Sequence, residues 1–162
     1  MNLPLTQLQP ELVVRDAVME DIDSIYSMMK SYSERGILLP RSRSDICDNL
    51  LKFTVIDYNN ETIACGALEI FTSELCEVRS LVVARHMKNS GLGRILVESL
   101  MEKARSLGLK RIMALTYVPE FFHRLGFKTV QKEIFPEKVW SVCVKCYKFN
   151  DCDEIAVAAD LQ

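Results

Sequence analysis

The stretch EVRSLVVARHMKNSGLGRILVESLMEKARSL, residues 77–107, decides how this chain folds. Its first part ends in an apolar, β-branched run at residues 81–83, which predicts a strand. Gly91 and Gly93 stand where the following loop turns into a helix. A helix that opens on glycines presents free N–H groups and a positive dipole end, and its backbone can be approached closely. The stretch is therefore suited to bind a phosphate.

The predicted helix has an apolar stripe with helical spacing, formed by Leu92, Ile95, Leu96, Leu100, Ala104 and Leu107. Gly108 predicts the end of this helix. A Walker motif is excluded because Gly93 is followed by Arg94 rather than by Lys and Ser or Thr. A dinucleotide fingerprint is excluded because Leu96 stands where its third small residue belongs.

Composition places the chain among ordinary globular proteins and gives no sign of a polyanionic partner. The 162 residues suffice for one domain with a core, and 49% are hydrophobic while 26% are charged. A net charge of -2 favours neither nucleic acid nor an anionic membrane as partner. Residues 1–10 lack a signal-peptide pattern, so we expect a cytoplasmic protein whose six cysteines are reduced. Cys47, Cys65 and Cys76 are expected to be small apolar core residues.

Taken in order, the hydrophobic patterns predict an α+β protein. Strands are predicted at residues 12–15, 52–57, 62–71, 75–83, 111–117, 127–130 and 155–160. Besides the long helix after Gly91, helices are predicted at residues 19–30, 44–51 and 119–125. In the second of these, Leu51 is expected to point inward. This order predicts helices packed around a mostly antiparallel sheet.

Two motifs in this frame resemble those of the GNAT acetyltransferases. The pattern Lys88-x-x-Gly91-x-Gly93-x-x-Leu96 resembles their coenzyme A loop, although the family usually has Arg or Gln where Lys88 stands. Residues 121–127, FFHRLGF, resemble the family's helix-to-strand corner, with Phe122 in the place of the usual Tyr. A phenyl ring cannot donate a proton, so the family's common general acid is missing from that place. Lys88 keeps the positive charge but has no planar fork, so it would contact phosphate as a point charge.

The resemblance implies a single N-acetyltransferase domain over residues 1–162, with a GNAT-like α/β/α sandwich around a mostly antiparallel mixed sheet. It implies acetyl-CoA as co-substrate. The coenzyme-binding residues that it implies are Leu81, Val82, Val83, Lys88, Asn89, Ser90, Gly91, Leu92, Gly93, Arg94 and Phe122.

Within that superfamily, the chain is most similar to the acetyltransferase domain of bacterial N-acetylglutamate synthases. The similar stretches are residues 36–43, 52–55, 63–68, 77–79 and 159–161. Longer members carry a kinase-like domain before the acetyltransferase, and we expect none here because few residues precede the first strand. The resemblance implies N-acetylation of L-glutamate by direct transfer, the first step of arginine biosynthesis.

Glutamate has two carboxylates, and arginines suit them because a guanidinium can donate two parallel hydrogen bonds to one carboxylate. By resemblance, Arg41 and Arg79 are the expected ligands and Arg43 is a further candidate, while a surface or salt-bridge role stays open for each. Glu77 is the candidate general base, directly or through water. Ser80 is a candidate proton donor, with Tyr117 as an alternative.

Cys143, Cys146 and Cys152 lie close together in sequence and could bind zinc. A structural zinc site needs four ligands and no histidine is near, so we favour reduced thiols and predict no metal. Two other functions stay open: an acetyltransferase for another small amine, and a non-catalytic acyl-CoA-binding module. The expected partners are acetyl-CoA and L-glutamate, with neither nucleic acid nor membrane, and a homodimer is left open.

Overall fold

A computed structural model describes residues 11–135 and 153–162. Its strands are β1 (Leu12–Asp16), β2 (Phe53–Tyr58), β3 (Glu61–Ile70), β4 (Leu75–Val83), β5 (Arg111–Thr116), β6 (Lys128–Val130) and β7 (Ile155–Asp160). Its α-helices are α1 (Ile22–Glu34), α2 (Arg43–Asp48), α3 (Leu92–Ser106) and α4 (Pro119–His123). In this described part of the chain, no helix is long and apolar enough to cross a membrane.

The strands form one mixed sheet of seven strands in the order β1-β2-β3-β4-β5-β7-β6. Strand β4 pairs with β5 in parallel, whereas β1 with β2, β5 with β7 and β6 with β7 are antiparallel. Between β2 and β3, Asn59 and Asn60 have φ angles of 50° and 64°, as a tight hairpin of matching twist requires. The prediction of an α+β fold around a mostly antiparallel sheet is confirmed.

Two compact units divide the chain, and the described part of the first comprises residues 11–65 and 82–96. Its buried apolar residues include Ile25 and Met29 of α1, which the helical spacing of that segment places on one face. The same unit contains a polar network around Arg15. Arg15 donates from Nη1 and Nη2 to the two carboxylate oxygens of Asp21 at 2.7 and 2.8 Å, and from Nε to Asp57 at 2.8 Å. These hydrogen bonds with Arg15 hold the pKa of the buried Asp21 carboxyl below its usual value.

The described part of the second unit comprises residues 66–81, 97–135 and 153–162. Its core gathers the inward face of α3 and the apolar residues of β5 and β7, together with the corner after α4. The buried members include Val97, Leu100, Met101, Ala104, Ile112, Ala114, Phe122, Phe127, Val157 and Ala159. Phe122 packs edge-on against Phe121 and Phe127, with ring centroids 5.0 and 5.1 Å apart.

Glycines follow the ends of α3 and α4, as predicted for Gly108. Gly108 has a φ of 83°, and the N–H of Leu109 beyond it donates to the carbonyl of Ala104 at 3.1 Å. Gly126 has a φ of 92°, and Phe127 N–H donates to the carbonyl of Phe122 at 3.1 Å. Both are left-handed helix ends, a conformation that glycine adopts without steric cost.

Three burial predictions are wrong. Leu51 is 91% exposed because α2 ends at Asp48 and a 3₁₀ turn follows, so the helical phase is lost before Leu51. Leu107 is exposed because α3 ends at Ser106 and the chain already turns there. Cys47 is exposed on α2, whereas Cys65 and Cys76 are buried as expected.

Candidate functional site

The pairing of β4 with β5 is short. It joins Leu75 to Arg111, Cys76 to Ile112 and Glu77 to Met113, while residues 78–81 of β4 and 114–116 of β5 run beyond this ladder. Parallel strands that separate in this way present backbone N–H and C=O groups on their facing edges. An extended ligand that carries amides can pair with such an edge as an additional strand would.

Ser80 breaks the regular geometry of β4 at this place. Its φ of 53° lies in the left-handed region, which costs a non-glycine residue about 1 kcal/mol. A single left-handed residue inside a strand re-aims the backbone groups that follow it, as a β-bulge does. Leu81, Val82 and Val83, the predicted acetyl-binding run, follow directly, with Val82 buried and the other two half-buried.

The predicted phosphate loop begins after a short 3₁₀ turn at Arg85–Met87. Lys88, Asn89, Ser90 and Gly91 are exposed, and the Ser90 hydroxyl donates to the carbonyl of Met87. Asn89 and Gly91 are left-handed, with φ of 64° and 85°.

Helix α3 starts at Leu92, which is buried; Gly93 is half-buried and Arg94 exposed. The structure therefore brings a lysine, the amides of an exposed turn and a helix N-terminus together within seven consecutive residues, 88–94. This is the combination expected for binding an anion.

Arg41 is the most buried of the three predicted carboxylate ligands, with 11% of its side chain exposed. Its Nε and Nη2 donate to Asp45 at 2.6 and 3.3 Å, and its guanidinium lies 5.3 Å from the centre of the Phe53 ring. Asn49 Nδ2 donates to the same carboxylate at 2.9 Å. These contacts hold the guanidinium plane in one orientation.

Arg43 has a different environment although it is only two residues away. Its Nε donates to Asp23 at 2.9 Å, and its guanidinium stacks on the Tyr26 ring at 4.0 Å. The Arg43 side chain is 57% exposed. Arg43 is thus bound to the outer surface of α1, where solvent competes for its donors.

Arg79 on β4 lies between two acidic side chains. Its Nε is 3.1 Å from Oε1 of the buried Glu77, and its Nη1 is 3.9 Å from Oε2 of Glu69. A quarter of the Arg79 side chain is exposed (25%). The structure therefore brings together Glu77, the candidate base, and Arg79, a candidate carboxylate ligand, with Glu69 as a second acid that the sequence patterns did not single out.

The aromatic corner packs into the core of the second unit. Phe122 is 4% exposed within the core of the second unit, so neither its chemistry nor its burial suits proton transfer. Tyr117, the alternative proton donor, is exposed, and its hydroxyl donates to Asp153 at 2.8 Å.

The candidate zinc ligands Cys143, Cys146 and Cys152 lie outside the described residues. Among residues 11–135 and 153–162, no group of three or more His, Cys, Asp or Glu side chains is arranged to hold a metal ion. Burial raises the pKa of the Cys65 and Cys76 thiols to about 12. Both thiols are thus protonated and inert near neutral pH.

Tyr32 is a residue that the sequence patterns missed. It lies on α1 and donates from its hydroxyl to the carbonyl oxygen of Val83 at 2.7 Å, across 51 positions of sequence. No short motif surrounds it. The only available signal is a tyrosine late in an amphipathic helix, where a polar tip can reach past the apolar face.

Comparison with known proteins identifies relatives of this chain. A family model described as the acetyltransferase (GNAT) family matches residues 17–127. An uncharacterised N-acetyltransferase of Chlorobaculum tepidum is 38% identical over 148 residues, which cover 91% of this chain and 96% of that protein. An amino-acid acetyltransferase of Salmonella arizonae is 35% identical over 147 residues, which cover 90% of this chain but 32% of that protein.

Two solved structures share the fold. N-acetylglutamate synthase of Neisseria gonorrhoeae, complexed with coenzyme A and N-acetyl-glutamate, superposes with a TM-score of 0.84 at 27% identity over 94% of this chain and 35% of that one. Rv2747 of Mycobacterium tuberculosis, in complex with CoA, superposes with a TM-score of 0.79 at 28% identity over 93% of this chain and 99% of that one. The chain thus spans about a third of the length of the amino-acid acetyltransferase and of the synthase that it matches.

Proposed function

Since this chain belongs to the acetyltransferase (GNAT) family, we propose that it transfers the acetyl group of acetyl-CoA to the α-amino nitrogen of L-glutamate, the first step of arginine biosynthesis. The observation that carries the proposal is the structural match to a synthase that was solved with coenzyme A and N-acetyl-glutamate. N-acetyl-glutamate is the product that this reaction would form. The similarity to amino-acid acetyltransferases over nine-tenths of the chain supports the same acceptor class.

In this proposal, the coenzyme would bind along the loop and the strand that precede α3. Its diphosphate would accept hydrogen bonds from backbone N–H groups of residues 89–93, with Lys88 and Arg94 supplying positive charge. Its pantetheine arm carries amides, which would pair with the edge of β4 that runs beyond the ladder with β5.

The acetyl carbonyl would then lie beside the backbone that follows Ser80. An N–H group of residues 81–83, re-aimed by the left-handed Ser80, would donate to the oxygen as negative charge develops on it. Because the backbone is already held in this conformation, little reorganisation would be needed during the reaction.

An amino-acid acceptor carries charges of both signs, and the cluster on β3 and β4 also presents both. Arg79 suits a carboxylate, whereas Glu77 and Glu69 suit the ammonium group before it loses its proton. By resemblance, Arg41, which Asp45 and Phe53 hold within the first unit, would be the ligand of the other carboxylate of glutamate.

Proton transfers complete the reaction. Glu77 would take a proton from the ammonium group, directly or through a water, and the neutral nitrogen would then form a bond to the carbonyl carbon. The carbon–sulfur bond would break and its electron pair would leave with sulfur as a thiolate, while the nitrogen, positively charged after the attack, would lose its second proton. Because the pKa of an ordinary thiol is near ~8.5, the thiolate needs little protonation in the transition state and would take up this second proton afterwards, with the Ser80 hydroxyl as a relay. The buried Phe122 is then compatible with catalysis.

A second acceptor class, a cationic small amine, is favoured by one specific observation. Two carboxylates, those of Glu69 and Glu77, lie beside the guanidinium of Arg79. Carboxylates at the acceptor would attract a cationic amine and repel the carboxylates of glutamate. If glutamate is the acceptor, the attraction of its carboxylates to the arginines must therefore exceed their repulsion by Glu69 and Glu77.

Release of free thiol from acetyl-CoA, measured with a panel of amines, distinguishes these acceptors. We expect the highest kcat/KM with L-glutamate and much lower values with L-aspartate, L-glutamine and a polyamine. Preference for the polyamine would replace glutamate with the cationic acceptor. Absence of thiol release with every acceptor would refute the enzymatic proposal.

The arginine assignment is tested by Arg41→Ala and Arg79→Ala. Loss of a charge-assisted pair worth about 1.5–3 kcal/mol should raise the glutamate KM roughly 10- to 100-fold while the Kd of acetyl-CoA stays constant. Arg43→Ala should have a smaller effect because that side chain is mostly exposed. Arg105→Ala is the control, since it removes an arginine that pairs with Glu102 on α3 and donates to the carbonyl of Leu161 at 3.1 Å, and that no prediction assigns to the acceptor. An unchanged glutamate KM in both test variants would refute the assignment.

A further inference from the structure

The backbone that joins β4 to the phosphate loop is fixed by two hydrogen bonds. The Tyr32 hydroxyl donates to the carbonyl of Val83, the last residue of β4, at 2.7 Å. The next residue, Ala84, donates its N–H to the carbonyl of Ile63 on β3, also at 2.7 Å. All four residues belong to the first compact unit, and so does the loop at residues 88–91. Both contacts hold the same junction, one from a helix and one from a strand.

We propose that Tyr32 is a positioning residue for acetyl-CoA, which sets the spacing between the strand that takes the acetyl end and the loop that takes the diphosphate. The inference rests on the proposed function only in placing the coenzyme along residues 81–94. A ligand that binds at two places gains affinity when the protein already holds them at the right separation. Tyr32 fixes Val83, the last residue of the strand that would take the acetyl end, immediately before the chain turns towards the phosphate loop.

The hydroxyl acts through Val83 rather than on the coenzyme. A carbonyl that accepts from a phenol is held in one direction, and the peptide plane between Val83 and Ala84 is held with it. That plane determines the direction in which the following turn at Arg85–Met87 leaves the strand. The tyrosine ring is further ordered by Arg35, whose guanidinium lies 5.8 Å from the ring centre.

A purely structural role of Tyr32 makes a different prediction, so the two can be separated. If the hydroxyl only attaches α1 to the strand, its loss lowers stability and affects every ligand of the loop alike. If the hydroxyl sets the spacing, its loss weakens the binding of a ligand that contacts both the strand and the loop. The binding of a ligand that contacts the loop alone then stays unchanged.

The test variant is Tyr32→Phe, which removes the hydroxyl and keeps the ring. The matched control is Tyr26→Phe on the same helix, because the Tyr26 ring packs on Arg43 while its hydroxyl makes no hydrogen bond to the residues that the structure describes. Binding is measured by titration calorimetry with two probes: acetyl-CoA, and ADP carrying a 3′-phosphate, which is the coenzyme without its pantetheine arm.

We expect Tyr32→Phe to weaken acetyl-CoA binding roughly fivefold, as the loss of one neutral hydrogen bond does, with binding of the ADP probe within twofold of the wild type. Tyr26→Phe should bind both probes as the wild type does. Equal weakening of both probes in Tyr32→Phe, or no weakening of either, would overturn the inference. Equal weakening of acetyl-CoA in the two variants would overturn it as well.

These outcomes are distinct from a failure of the proposed function. If the wild type binds acetyl-CoA but releases no thiol with glutamate, the acceptor is wrong and the two probes still decide the role of Tyr32. If the wild type binds the ADP probe and acetyl-CoA with equal affinity, the coenzyme has no second contact on the strand and the inference fails. If it binds neither probe, both proposals fail.

Discussion

Gly91 and Gly108 lie just outside the two ends of α3 and allow a matched test of the phosphate loop. Their φ angles are 85° and 83°, and a Cβ built on either one meets no heavy atom within 4 Å. An alanine at either position therefore meets open space, and its cost is the left-handed backbone alone, about 1 kcal/mol. We expect Gly91→Ala and Gly108→Ala to lower Tm equally, by roughly 2–4 °C for a chain of this size.

Coenzyme affinity should separate the two variants. A methyl group on residue 91 would occupy the approach of the diphosphate to the exposed turn before Leu92. Loss of one charge-assisted hydrogen bond, at about 1.5–3 kcal/mol, corresponds to a 10- to 100-fold increase in Kd for acetyl-CoA. Gly108→Ala carries the same strain at the other helix end and should leave this Kd unchanged.

The measurement is calorimetric titration of acetyl-CoA into each variant at one ionic strength, together with a thermal melt. Equal Kd values for Gly91→Ala and Gly108→Ala would refute the assignment of the loop. Unequal Tm shifts would show instead that residue 91 has a structural role besides its backbone conformation, and the strain argument would then be wrong.

Two further predictions concern titratable groups. Asp21→Asn should destabilise the fold by about 2–3 kcal/mol at neutral pH, because it leaves the partly buried Arg15 with fewer partners. Pairing with Arg15 lowers the pKa of Asp21 in the folded state. The contribution of this pair to the free energy of unfolding is therefore complete above the pKa of an unfolded Asp, near ~3.9, and is lost as the pH falls through the pKa of the folded state. The gap in urea midpoint between wild type and variant should therefore narrow from pH ~6 to ~3, and a constant gap would contradict the pairing. Burial should also keep Cys65 and Cys76, with pKa values raised to about 12, unlabelled by iodoacetamide in the native protein at pH ~8, whereas the exposed Cys47 is labelled. Peptide mass spectrometry checks this, and labelling of Cys65 under native conditions would refute its burial.

The surroundings of the proposed acceptor ligands were only partly predictable. Sequence similarity singled out Arg41, Arg43 and Arg79 together, but their surroundings differ. Arg41 is held by Asp45 against Phe53, whereas Arg43 is held on the surface by Asp23 and Tyr26. The pairing of Arg41 with Asp45 is local. The rings of Phe53 and Tyr26 and the carboxylate of Asp23 come from other parts of the chain, so the adjacent residues alone do not show which arginine is buried.

The sequence by itself determined the elements whose conformation depends on neighbouring residues. The bounds of β4, the start of α3 after Gly91 and the helix ends at Gly108 and Gly126 are local, since they follow from backbone preferences and short-range apolar spacing.

Tertiary structure alone decided the left-handed Ser80 inside a strand, the contact of Tyr32 with Val83 and the network that joins Arg15 to Asp57. Each depends on groups that only the folded chain brings together. No local pattern encodes such a contact, because its free energy arises from burial and from hydrogen bonds between residues far apart in sequence.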